Sequence, residues 1–143
     1  MDEAKRELVR AWLIKARNDL DTARQISSLP DGHLDAAIYH CQQAAEKALK
    51  GFLALHDHGL ERTHDLKRLI QMAVGDDISF LQWMEAAITL TPYATAYRYP
   101  GESAVLEPSR PEFDEALKLT TKLVNFILPL MPADVQPSTR SEE

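Results

Sequence analysis

A chain of 143 residues with 45% hydrophobic and 27% charged side chains has the make-up of one globular domain, able to bury roughly two-thirds of its unfolded surface. Its formal net charge of −6 lies wholly in the second half, because the first 70 residues balance; this excludes a general nucleic-acid packager held by its overall field, so any anion contact has to come from a local patch. No apolar run approaches the roughly 20 residues that span a bilayer, the charged start MDEAKRELVR lacks the apolar block of a signal peptide, and the single cysteine, Cys41, cannot form an internal disulfide, so a cytoplasmic protein without membrane contact is expected.

Apolar spacing predicts five helices and no strand. The first runs from Asp2 to Ser27 with Leu8, Trp12, Ala16, Leu20, Ala23 and Ile26 on one face, and the breaker cluster SSLPDG ends it. Asp31 is the expected cap of the second, which continues to about His56 and stops near Gly59. Its apolar stripe is Ala37, Cys41, Ala44, Ala45, Ala48, Phe52 and Leu55; four of these are alanines, so a neighbouring helix can approach closely. Gln42, Gln43, Glu46, Lys47 and Lys50 fall mostly outside the stripe, with Glu46 and Lys50 spaced for an ion pair. Thr63 is the expected cap of a short third helix over residues 64–73. A fourth is expected over residues 78–96 with Leu81, Met84, Ala87, Ile88 and Thr91 inward and Pro92 either kinking the helix or beginning its final turn. The segment YRYPGESAVLEPSRP reads as loop, closed by the capping box Ser109-Arg110-Pro111-Glu112 of a fifth helix that ends before Pro129. Striped helices joined by short turns can bury their faces only against each other. The fold expected is therefore all-α, an antiparallel up-and-down bundle of four or five helices over residues 1–130, with residues 131–143 as a disordered tail.

Four groups could carry chemistry. Arg98 lies between Tyr97 and Tyr99, just before Pro100 and Gly101; a guanidinium flanked by aromatics can hold a phosphate bidentately while a ring stacks on a base. Equally, the tyrosines could cover the end of the bundle while Arg98 pairs with Asp19 or Glu46. His56, Asp57, His58, His64 and Asp65 crowd into ten positions, but their spacing matches no zinc pattern, and a solvated loop is the expected reading, with no metal bound. Lys47, Lys50, Arg62, Lys67 and Arg68 are interrupted by Glu46, Glu61 and Asp65, as on a solvated face. Cys41 belongs to the apolar stripe, and adjacent residues on a helix diverge by about 100°, so His40 does not activate its thiol. The five glycines form no phosphate-cradling loop, so a nucleotide would be held by side chains or a helix terminus.

The pattern Trp12-x-x-x-Ala16-x-x-Asp19-Leu20-x-x-Ala23, the block His40-Cys41-Gln42-Gln43-Ala44-Ala45-Glu46-Lys47-Ala48-Leu49-Lys50, the segment His64-Asp65-Leu66 and the tripeptide Arg98-Tyr99-Pro100 occur in order over residues 12–128. Together they resemble the HEPN family of small prokaryotic helical proteins. The resemblance implies an antiparallel helical bundle, a homodimer and no cofactor. It also implies association with a minimal nucleotidyltransferase, often as a toxin–antitoxin pair, and contact with a nucleotide or RNA. Many members are metal-independent ribonucleases that pair an arginine with a histidine four to six residues downstream; histidine moves the proton and arginine meets charge on the phosphate. Arg98 stands at the arginine position, but no histidine follows it anywhere in the chain. The incomplete motif leans against catalysis and towards a domain that binds a nucleotide or a nucleotidyltransferase. The nucleotide would be held by Arg98, Tyr97, Tyr99, Lys47 and His64. The alternative is a toxin-type endoribonuclease in which Glu102 or His64 replaces the missing base beside Arg98.

Overall fold

The computed structural model describes residues 1–101 and 104–137, and among these every regular element is helical. Five α-helices follow one another: α1 (Glu3–Ser28), α2 (Leu34–Leu55), α3 (Leu66–Val74), α4 (Met84–Leu90) and α5 (Arg110–Ile127). Short 3-10 turns over Ile78–Trp83 and Thr91–Ala94 flank α4, and two more, Leu128–Leu130 and Ala133–Val135, follow α5. This is the helical bundle expected from the periodicity.

The architecture rests on α1 and α2, which form an antiparallel hairpin with the most extensive contact in the molecule. Two glycines make it close. A Cβ at Gly32 in the turn would fall 1.9 Å from the Ile26 carbonyl oxygen, and one at Gly51 would press on Leu13 and Trp12 at 3.2 Å. α2 is central: besides its small-residue stripe it buries Ile38, Leu49 and Leu53, and α5 and α3 pack against it. Phe52, Phe80 and Phe126 continue the core as a chain of rings with centroids 4.5 and 5.1 Å apart. The hydroxyl of Thr120 on α5, fully buried, donates to the Cys41 carbonyl at 3.0 Å.

Several local expectations shift. α1 buries Val9, Leu13, Ala16, Leu20 and Ala23, so the inward face is displaced from Leu8, which is 52% exposed. Asp31 does not cap α2; the N-cap is His33, whose side chain makes no capping bond. Asp65, not Thr63, caps α3 by accepting from the Lys67 N–H, while Thr63 Oγ1 accepts from the Asp65 N–H. The long fourth helix is broken, and Leu81 and Ile88 face solvent while Phe80, Ala86, Ala87 and Leu90 are buried. A 3-10 segment advances by three residues per turn, so it rotates the inward face away from the 3.6-residue phase. Ser109 caps α5 as expected, accepting from the Glu112 N–H, but the Glu112 carboxylate does not return to close the box.

The tail expected to be disordered from residue 131 is packed as far as Pro137. Val135 is fully buried, Asp134 pairs with Arg6 at 2.8 Å and accepts from Arg10, and Gln136 donates to the Leu128 and Met131 carbonyls. Polar composition concealed two apolar anchors, Met131 and Val135, and a salt bridge from Asp134 to Arg6 on α1. Residues 138–143 lie outside the described residues, as does Glu102.

Candidate functional site

One stripe of α2 is polar and lines up at helical spacing: Tyr39, His40, Gln43, Glu46, Lys47 and Lys50. α1 faces it with Asp19 and Trp12. Asp19 is almost buried, its Oδ1 2.9 Å from His40 Nδ1 and its Oδ2 accepting from Lys47 Nζ at 2.6 Å. Burial pushes the Asp19 carboxyl up, but the hydrogen bonds from His40 and Lys47 outweigh it and leave the group below the usual carboxylate range. With Asp19 accepting at Nδ1, the neutral imidazole carries its proton there and presents Nε2 as an acceptor.

Arg98 reaches the head of this stripe from the far side. Its loop is pinned locally: Pro92 starts the Thr91–Ala94 turn, Thr91 Oγ1 donates to the Ala87 carbonyl and accepts from the Leu66 N–H, and the Arg98 N–H bonds to Thr95. Tyr93 and Tyr97 stack with centroids 6.2 Å apart, and both phenols donate to Glu112, at 2.9 and 2.7 Å. Those bonds take up the carboxylate that the capping box would have used. For Tyr93 burial first and then Glu112 raise the phenol; for Tyr97 the Glu112 bond is the larger cause. With Tyr97 committed to Glu112, the Arg98 guanidinium lies instead over the Tyr39 ring, 4.1 Å from its centroid, and 5.9 Å from that of Tyr99. Among the described residues Arg98 has no ion pair or hydrogen-bonded side-chain partner, and neither Asp19 nor Glu46 reaches it.

Arg98, Tyr39, His40, Tyr97, Ala36 and Asp35 line a concavity of about 320 Å³, and Tyr99 and Pro100 line a smaller one, of about 170 Å³, that shares Asp35, Tyr97 and Arg98 with it. The residues predicted from sequence therefore divide. Arg98, Tyr97 and Tyr99 come together. Lys47 joins them only through Asp19 and His40. His64 does not: its Nδ1 lies 2.7 Å from Glu46 Oε1, in a second network where Glu46 also accepts from Lys50 and Gln42. His64 therefore does not stand beside Arg98 as a substitute base. Sequence spacing alone does not point to Tyr39 or His40 for this place. A thiol–imidazole pairing of Cys41 with His40 fails here, because burial pushes the fully buried Cys41 thiol up to about 12. A signal was present in the offset from Tyr39 to Gln43, Lys47 and Lys50, a polar helical stripe on an otherwise buried helix.

The crowded histidines also separate. His58 Nε2 bonds Asp76 at 2.6 Å with His56 Nδ1 3.9 Å from the same carboxylate, far from a three-ligand set with His64.

The sequence motifs interlock in space. Asp19 from the first pattern holds His40 and Lys47 of the second, the second holds His64 of the third through Glu46, and Arg98 of the fourth stacks on Tyr39. The HEPN domain model matches residues 9–130. The chain belongs to the HEPN family. Its fold is similar to the crystal structure of TT1696 from Thermus thermophilus, at 31% identity and a TM-score of 0.74, over 86% of this chain and 98% of that one. It is also similar in fold to ST0689, described as an archaeal HEPN homologue, at 24% identity and a TM-score of 0.62, over 85% of this chain and 96% of that one. No curated protein matches the chain. Within this HEPN domain no described helix is long and apolar enough to cross a membrane.

Proposed function

We propose that this HEPN domain binds a nucleotide phosphate at Arg98 without catalysing its turnover, and acts as a homodimeric, cytoplasmic partner of a minimal nucleotidyltransferase. The observation that carries this reading is the Arg98 guanidinium, stacked on Tyr39 and free of carboxylates among the described residues, at the mouth of a concavity of about 320 Å³. That volume is at the lower end for small-ligand sites. An arginine already flattened against a ring presents its N–H edge to a phosphate, and its side chain loses little freedom on binding. The half-exposed Tyr99 ring beside it offers a base a stacking face. Titration calorimetry with AMP and ATP, together with pull-down of a nucleotidyltransferase, tests the reading. Binding lost in Arg98→Ala supports it; no binding of either nucleotide below about 1 mM together with no captured partner would overturn it.

One observation favours a second reading, the metal-independent endoribonuclease. His40 shares the concavity with Arg98, and Asp19 fixes its tautomer so that Nε2 can accept a proton. The histidine missing downstream of Arg98 in sequence is thus replaced in space by one upstream, on α2. In that reaction His40 takes the proton of a ribose 2′-OH, the freed oxygen attacks phosphorus, the P–O5′ bond breaks and the 5′-oxygen leaves with a proton from solvent, and Arg98 meets the charge on the phosphoryl oxygens. Cleavage of a labelled single-stranded RNA in EDTA that is lost in both Arg98→Ala and His40→Ala would establish it. Cleavage unchanged in His40→Ala would remove it.

A further inference from the structure

Beside the Arg98 concavity lies a set of groups that neither reading uses. His33, at the start of α2, Asp35, in its first turn, and Glu107, just before α5, each offer one ligand atom, and these atoms lie within 4.8 Å of one another. His33 Nδ1 is 3.7 Å from Glu107 Oε1. Asp35 uses Oδ1 to accept from the Ala36 N–H and has its other oxygen to offer. Among the described residues no other three His, Cys, Asp or Glu side chains converge in this way.

A second observation is electrostatic. Asp19, Glu46, Asp57 and Asp134 each have a lysine or arginine partner, whereas among the described residues neither Asp35 nor Glu107 pairs with either. Two like-charged carboxylates brought together repel unless a cation joins them. His33 also holds the N-cap position without capping it, so its ring is free to turn towards the carboxylates. We infer that His33, Asp35 and Glu107 bind a divalent transition-metal ion of the zinc or manganese type. One imidazole and two carboxylates match the charge of a dication and suit these metals better than magnesium or calcium, which prefer oxygen alone. Ligand atoms around such an ion stand roughly 3 Å apart, and the exposed His33 and Glu107 side chains need only rotate to close that far. Three protein ligands leave further coordination positions to solvent or to an anion. Asp35 is also a wall of the Arg98 concavity, so the ion would add positive charge beside the guanidinium and tie the start of α2 to the segment leading into α5.

The site stands independently of the nucleotide reading, because its test uses metal alone. Zinc, and manganese in parallel, would be titrated by calorimetry into the full chain, the Glu107→Gln and His33→Ala variants, and a His56→Ala/His58→Ala double variant. Circular dichroism would confirm that each variant is folded. The expected result is one ion per chain, affinity weakened at least about tenfold by either Glu107→Gln or His33→Ala, and no change in the double variant. No binding below about 1 mM, affinity unchanged from the native chain in the Glu107→Gln and His33→Ala variants, or loss confined to the double variant would overturn the assignment.

Discussion

Two acid-centred networks occupy the same stripe of α2, and they use the same residue types. Near the head of the helix Asp19 holds His40 and Lys47; about two turns on, Glu46 holds His64 and Lys50. The second is closed at its centre: the Glu46 and Lys50 side chains are 5% and 10% exposed, Gln42 and Gln43 add amide donors, and Trp12 covers the ammonium at 5.8 Å. The first is open: His40 keeps 29% of its side chain in solvent and lines the concavity into which Arg98 projects. An acid, a histidine and a lysine together make a strut in one place and a candidate site in the other. Both histidines bond their acid through Nδ1 alone, and His64 is the more exposed at 67%; what separates the networks is the buried Glu46–Lys50 pair in one and, among the described residues, an Arg98 guanidinium without an ion pair beside the other.

Removing each acid sharpens this contrast most. Glu46→Ala strands a nearly buried Lys50 and should cost about 3 kcal/mol of unfolding free energy. Asp19→Ala leaves partners that already reach water and should cost closer to about 1–2 kcal/mol. Urea denaturation measures both, and equal losses would mean that the networks do not differ as described. Next in size is binding. Arg98→Ala should weaken AMP at least about tenfold, the worth of a charge-assisted hydrogen bond, whereas His64→Gln should change it less than about twofold. The reverse order would move the site to the closed network.

A smaller effect follows from the depressed Asp19 carboxyl. Its pKa is lower folded than unfolded, so its contribution to stability is complete above the unfolded value of about 3.9 and is lost as pH falls through the folded one. The stability gap between the native chain and Asp19→Asn should therefore be full at pH 7 and narrow below about pH 4. A gap that widens in acid would show that the bonds from His40 and Lys47 do not hold the carboxylate ionised.

The bundle was legible because helical periodicity is a one-dimensional signal, and the α2 stripe from Ala37 to Phe52 is buried as its spacing implied. Local details departed from expectation where a side chain found a distant partner. Glu112 spends its carboxylate on Tyr93 and Tyr97 instead of the Ser109 cap, and Asp134 anchors a tail whose composition reads as disordered. The site was half legible for the same reason. Arg98 and its tyrosines are neighbours in sequence, but His40 lies 58 positions upstream and meets Arg98 only because α2 and the turn after α4 pack together. Searching downstream of an arginine could not find it. His64 stands in the sequence motif, but its tie to Glu46 depends on how the segment after α2 folds back.

The finest test of the comparison is the ring beneath each cation. Tyr39 lies under Arg98 at 4.1 Å and Trp12 under Lys50 at 5.8 Å, so both networks contain a cation over an aromatic face. Only the first cation is free to take a ligand. A ring under an exposed cation contributes about 0.5–1 kcal/mol, so Tyr39→Leu should weaken AMP about threefold by letting the guanidinium wander. Tyr39→Phe keeps the face and should bind as the native chain does. Trp12→Leu should leave AMP affinity unchanged and register only as lost stability, because Lys50 is already held by Glu46. If Tyr39→Phe fell as far as Tyr39→Leu, the phenol would be touching the ligand directly, and the ring would be part of the recognition surface instead of the platform that positions Arg98.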